Sequence, residues 1–169
     1  MRVLVSAASK HGATAEIADA IGKELRSRGL DATVAPPVDA GEIERYDAVV
    51  LGSAVYAGHW LEPAKQLAKR WDGSFDGRPV WLFSSGPVGD PSRSIVQRME
   101  QDPVDLAGVR TITAARDHHM FAGRLDRRSL SLPERAFTLV IRGMEGDFRD
   151  WDDVTRWAGR IAGELQPTA

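Results

Sequence analysis

Short Val-rich runs alternate with amphipathic helical stretches along this chain, and that alternation constrains its fold more than any other feature. Residues 2–6 (RVLVS), 31–35, 47–52 (DAVVLG), 79–85 (PVWLFSS) and 109–115 read as five strands. The central runs are apolar without a break, which suits strands buried on both faces of a parallel sheet covered by helices. Between strands one and two, residues 14–28 put Ile17, Ala18, Ile21 and Leu25 on one helical face and Glu16, Asp19, Lys23, Glu24 and Arg26 elsewhere. Gly29 follows as a stop signal. Pro63 suits the first turn of a second helix that continues through Leu67, Ala68 and Trp71. A short helix is expected at 92–99. A last helix from about Asp152 carries the stripe Val154, Trp157, Ala158, Ile161, Ala162 and Leu165. These elements form one α/β domain over residues 1–169. Residues 118–146 break the simple alternation and hold a further helical candidate at 133–141.

Composition narrows the chemistry. The chain has no cysteine, which excludes disulfides, thiolate metal sites and thiol catalysis. Its 22 basic and 24 acidic residues are interspersed and leave a net charge of −2, so the basic stripe of a nucleic-acid binder is missing and no nucleic-acid partner is expected. No apolar run approaches the roughly 18 residues of a membrane span, and the start of the chain lacks the apolar region of a leader, so a cytoplasmic protein with at most peripheral membrane contact is expected. The adjacent pair His118–His119 lacks the i, i+4 spacing of a helical metal site, and no metal is expected. No nucleophile elbow is present, nor the aspartates that a phospho-receiver needs after its first strand.

Three loops at expected strand ends carry residues suited to a ligand, and in doubly wound folds ligands bind at those carboxyl ends. The first comprises Ser9, Lys10, His11, Gly12, Ala13 and Thr14 before helix one. A helix N-terminus offers free N–H groups and a positive dipole end to a phosphate, with hydroxyls from Ser9 and Thr14 and charge from Lys10. Its spacing is neither G-x-G-x-x-G nor the Walker pattern. A plain turn capped by Thr14 is the other reading. The second loop, with Ala54, Val55, Tyr56, Ala57, Gly58, His59 and Trp60, brings aromatics that could stack on a planar ring or simply anchor the surface. The third, with Ser85, Gly86, Pro87 and Val88, is small and polar and could bond a ring edge through its amides or be an ordinary Gly-Pro turn. The conjunction of the three points to a ligand site.

The first loop resembles the phosphate signature of the flavodoxin superfamily, Thr/Ser-x-Thr-Gly-x-Thr. Ser9, Gly12 and Thr14 match, and His11 stands where a hydroxyl residue is usual. The loop around Tyr56 is similar to the first ring-binding loop of that superfamily, and the loop from Ser84 to Asp90 to the second. A nearer resemblance is to flavodoxin-like proteins related to menaquinone-dependent protoporphyrinogen dehydrogenase. It is carried by residues 53–59 (SAVYAGH), 121–125 (FAGRL), 132–135 (LPER) and 145–151 (EGDFRDW). The region between strands four and five is shorter here than in those enzymes.

The resemblance implies a flavodoxin-like three-layer αβα sandwich with a five-stranded parallel sheet in the order 2-1-3-4-5, and FMN as cofactor. It further implies an oxidoreductase that passes electrons to a quinone or redox partner, with a porphyrinogen as substrate class. Two other functions stand beside it: a flavodoxin that only shuttles electrons, and a flavin-free interaction module that has kept the scaffold. His118 and His119 could meet a flavin edge or lie in a loop. Arg116, Arg124, Arg127 and Arg128 could attract propionates or be a solvated surface. In the last motif Asp150 or Asp152 is expected to cap the final helix and Trp151 to pack at its start. The apolar run near 136–144 could sit in the core, at a homodimer seam or on a membrane.

Overall fold

The fold comes from a computed structural model, which describes residues 1–86, 102–125 and 146–166. The expected helices at 92–99 and 133–141, the apolar run near 136–144, Pro87, Val88, Arg127 and Arg128 lie outside the described residues.

Five parallel strands form the sheet: β1 (Arg2–Ala8), β2 (Asp31–Ala35), β3 (Ala48–Tyr56), β5 (Val80–Ser85) and β6 (Asp117–Phe121). Their spatial order is β2-β1-β3-β5-β6. Counting only the parallel strands this is 2-1-3-4-5, as the sequence leads one to expect. A short strand β4 (His59–Trp60) folds back antiparallel on the end of β3, and β7 (Arg124–Leu125) pairs with β8 (Gly146–Asp147) in a separate ribbon. The described helices are α1 (Ala13–Ser27), α2 (Glu62–Arg70), α3 (Leu106–Thr113) and α4 (Trp151–Leu165).

Pleating splits the core into two halves. Val3, Val5, Val50, Trp81 and Phe83 face α1 and α4, where Ile17, Ile21, Leu25, Trp157 and Ile161 complete one cluster. Leu4, Val49, Leu51 and Leu82 face α2 and α3 and meet Leu67, Trp71, Leu106 and Val109. Each fully buried aliphatic side chain contributes about 1.5–3 kcal/mol by leaving water. Gly52 belongs to this packing: a Cβ there would overlap the Phe83 ring. Helix α1 ends as expected at Gly29 (φ 85°), where the Leu30 N–H reaches the Leu25 carbonyl and the Gly29 N–H that of Arg26. Those two bonds make a Schellman motif. Of the two candidate caps for α4, Asp150 is the one used: its carboxylate accepts from the Asp153 N–H at 3.0 Å.

The fifth strand does not lie at 109–115. Residues Leu106–Thr113 form α3, and the strand is Asp117–Phe121. The β-branched residues Val109, Thr111, Ile112 and Thr113 favour a strand locally. Yet Leu106, Val109 and Thr113 also share a helical face, and burying it against the second core outweighs propensity. The polar run Asp117-His118-His119 conceals a strand because its side chains find partners. His118 Nε2 lies 2.9 Å from Ser84 Oγ, His119 Nε2 lies 2.7 Å from Asp153 Oδ2, and Asp117 accepts from the Trp157 indole at 3.1 Å. The two histidines are therefore strand residues, not members of a following loop. No helix among the described residues is long and apolar enough to cross a membrane.

Candidate functional site

The strand register sets the three expected loops side by side. Ala8 of β1 pairs with Ser53 of β3, Ser53 with Ser84 of β5, and Ala54 with Ser85. The carboxyl ends of β1, β3 and β5 thus form one continuous rim.

At the first strand end the chain passes from Ala8 through Ser9, Lys10 and His11 to Gly12, which adopts φ 85° and precedes α1. Gly12, not Thr14, is the N-cap, and no side chain caps it. Thr14 is the second helical residue and only 2% exposed. Glycine is needed at that positive φ, and a Cβ built on Gly12 would meet nothing within 4 Å among the described residues. Among the described residues no side chain covers Gly12 or caps the helix start, which is flanked by Ser9 and by the exposed Lys10. Such a cradle, with its N–H donors, hydroxyl and ammonium, fits a phosphate.

At the second strand end, β3 extends to Tyr56, beyond the expected limit at Gly52. Val55 pairs with Trp60 and Tyr56 with His59, so Ala57 (φ 49°) and Gly58 (φ 79°) form a two-residue hairpin turn. Two successive positive φ values are the mark of a type I′ turn, which suits the twist of paired strands. What reads as a loop is therefore a hairpin tongue. The Gly58 carbonyl accepts from the Val104 N–H at 2.9 Å, and Asp105 accepts from the Trp60 N–H at 2.9 Å and lies 3.1 Å from His59 Nδ1. Although burial works against its charge, the Trp60 N–H and the His59 ring hold the Asp105 carboxyl below the usual range. Inside, the Trp60 indole donates to Ser84 Oγ and the Leu61 N–H to Ser53 Oγ. Trp60 is thus a buried anchor.

Tyr56 turns toward the first loop. Lys10 Nζ lies 5.2 Å from its ring centroid and the His11 ring 6.3 Å away. At the third strand end, Ser85 is buried, and the Gly86 N–H is committed to the Phe121 carbonyl at 3.0 Å. A Cβ on Gly86 would sit 3.8 Å from Val55, so the third strand end abuts the second.

The arginines that are close in sequence separate in space. Arg116 precedes β6 at the amino end of the sheet, over the Trp81 ring and 3.6 Å from Glu164. Arg124 stays near the first loop, 3.0 Å from Glu16 of α1. Sequence reading put Glu16 on the polar face of helix one and Arg149 within the motif 145–151, but gave no site role to either or to Asp105. Their partners lie 133 and 45 residues away, and no spacing rule announces them. Arg149 is buried at the foot of α1, paired with Glu16 and Asp147.

A family model for the flavodoxin domain matches residues 4–152. The chain belongs to the flavodoxin domain family. Among solved structures it resembles an archaeal flavodoxin (TM-score 0.65, 16% identity, 98% of this chain and 99% of that one). It also resembles oxidised flavodoxin 2 of Bacillus cereus (TM-score 0.64, 18% identity, 97% and 99%). At these identities the likeness concerns the fold. Among curated proteins it is 28% identical over 86 residues to "Protoporphyrinogen IX dehydrogenase [quinone]" of Escherichia coli strain K12. That match spans 50% of this chain and 48% of the relative, so the chain spans about half the length of the curated relative.

Proposed function

We propose that this chain is an FMN-dependent oxidoreductase that takes electrons from an oxidisable ring substrate, of the porphyrinogen class, or from a reduced carrier. It passes them to a quinone or another redox partner. The observation that carries the reading is the meeting of Lys10 and Tyr56 across the carboxyl ends of β1 and β3, which sets the cationic loop before α1 beside an aromatic ring. The porphyrinogen and quinone follow the partial match to the E. coli enzyme.

When bound, FMN supplies the redox-active ring; the protein supplies binding, orientation and electrostatics. Ser9, Gly12, Ala13 and Thr14 offer the phosphate the backbone donors and hydroxyls of the α1 start, and Lys10 adds charge. His11, beside Tyr56, closes the loop toward the ring side. Tyr56 offers a stacking face, while Ala54, Val55, Ala57 and Gly58 keep the surrounding tongue low. Ser85 and Gly86 border the opposite side, with Pro87 and Val88 next along the chain.

The test is an FMN titration of purified apo-protein, followed by quenching of flavin fluorescence, with riboflavin as control. FMN is expected to bind at least about tenfold more tightly than riboflavin, which corresponds to roughly 1.4 kcal/mol from the phosphate. Lys10→Met should lower FMN affinity and leave riboflavin affinity near its starting value. Absence of binding by either flavin would overturn the redox reading and favour the interaction module. Flavin binding without turnover of a porphyrinogen plus quinone would favour the simple electron shuttle.

A further inference from the structure

Arg149 is among the most constrained charged side chains described here. Its side chain is 2% exposed. One edge of the guanidinium forms a fork on Asp147, with Nε 2.8 Å from Oδ1 and Nη2 2.6 Å from Oδ2. Nη1 reaches across to α1, donating to Glu16 Oε2 at 2.8 Å and to the Ala13 carbonyl at 3.2 Å. The guanidinium plane lies over Trp151, 4.5 Å from the ring centroid. Arg124 donates to the same Glu16 carboxylate at 3.2 Å.

The place of this cluster gives it meaning. Ala13 is the first residue of α1 and Glu16 lies in its first turn. A lone carboxylate there suits the helix dipole but repels a phosphate brought to the same terminus. Two guanidiniums on one carboxylate remove that repulsion, and Asp147 balances the second positive charge. The direct bonds from Arg149 hold the Glu16 and Asp147 carboxyls below their usual range.

Resting on the FMN reading above, we propose that Arg149 is a positioning residue for the phosphate end of the flavin site: it neutralises Glu16 and holds the Ala13 peptide, so that loop 9–14 accepts a phosphate dianion. It acts through Glu16 and Ala13, without touching the ligand. Through the pairing of β7 with β8 it also ties residues 124–125 and 146–149 to the loop before α1, helped by the Phe148 N–H on the Gly123 carbonyl at 3.1 Å.

The test compares FMN and riboflavin affinities of Arg149→Met, Glu16→Gln and the double variant, with apo-protein denaturation as a separate readout. R149M is expected to weaken FMN about tenfold or more and riboflavin less than about threefold, because only FMN carries the phosphate. E16Q in the R149M background is expected to restore most of the FMN preference, since it removes one of the two carboxylates that Arg124 alone then faces. If R149M does not fold, Arg124→Met, at a side chain 33% exposed, should give the same FMN-selective loss in smaller measure. Equal loss of both flavins, or failure of E16Q to restore the preference, would overturn the proposal and leave Arg149 a packing residue. A wild type that binds FMN no better than riboflavin would instead bring down the FMN reading itself.

Discussion

The Trp60 indole Nε1–H donates to the hydroxyl of Ser84 at 2.8 Å, and both side chains are buried. This bond joins the hairpin tongue to β5 in the second half of the core. Ser84→Ala leaves the buried indole N–H and the His118 ring without the hydroxyl they share and is expected to cost about 1–3 kcal/mol. Urea denaturation reads this directly, and a loss below about 0.5 kcal/mol would mean that water or another acceptor replaces the hydroxyl.

On its other side Ser84 meets His118. Burial pushes the His118 imidazole below its ordinary value of 6.5, against the opposing pull of Asp102 and with help from Arg110. The unfolded chain therefore binds a proton at this residue more readily than the folded one. Stability rises with pH through this window: the contribution is fully present above 6.5 and is lost as pH falls below it. Glu16, Asp147 and Asp105, whose carboxyls are held below 4.5 and 3.8, lose their contributions only at lower pH. Denaturation midpoints between about pH 5.5 and 7.5 should fall on acidification in the wild type, and less steeply in His118→Gln. Identical slopes would refute the assignment, because the difference isolates His118 from the other three histidines.

Gly52 is required by the Phe83 ring, which is fully buried between Phe121 at 5.8 Å and Trp157 at 6.1 Å. Gly52→Ala is expected to destabilise by about 1–3 kcal/mol through overpacking. In a Phe83→Leu background the added methyl has room, so the same substitution should cost less, and the double-mutant cycle measures that coupling. Strictly additive losses would mean the strain is relieved elsewhere.

Ala57 holds φ 49° at the first position of the hairpin turn. Asparagine tolerates that region better than alanine, and Asn-Gly is a favoured pair for this turn. Ala57→Asn is expected to raise stability by about 0.5–1 kcal/mol, a rise of a few degrees in Tm. An unchanged or lower Tm, measured by calorimetry, would indicate that residue 57 is held by contacts to its neighbours and not by its own backbone preference.

The layered α/β plan was legible because continuous apolar runs and one-sided helical stripes are local patterns: VLV, AVVLG and VWLF need burial on two faces, and Ile17, Ile21 and Leu25 on one. The turn into α1 was legible for a similar reason, since Gly12 before Thr14 marks a sharp entry into a helix. Tertiary structure decided the rest. It made a helix of residues whose β-branching favours a strand, because packing against the second core offset a small local preference. It made a strand of Asp-His-His, because Trp157, Ser84 and Asp153 stood ready to bond it. It drew the Tyr56 loop out into a hairpin tongue pinned by Asp105, and it brought Arg149 from far along the chain under α1. Charge pairing over such separations leaves no periodic trace in a single sequence, because only the folded backbone brings the partners within bonding distance.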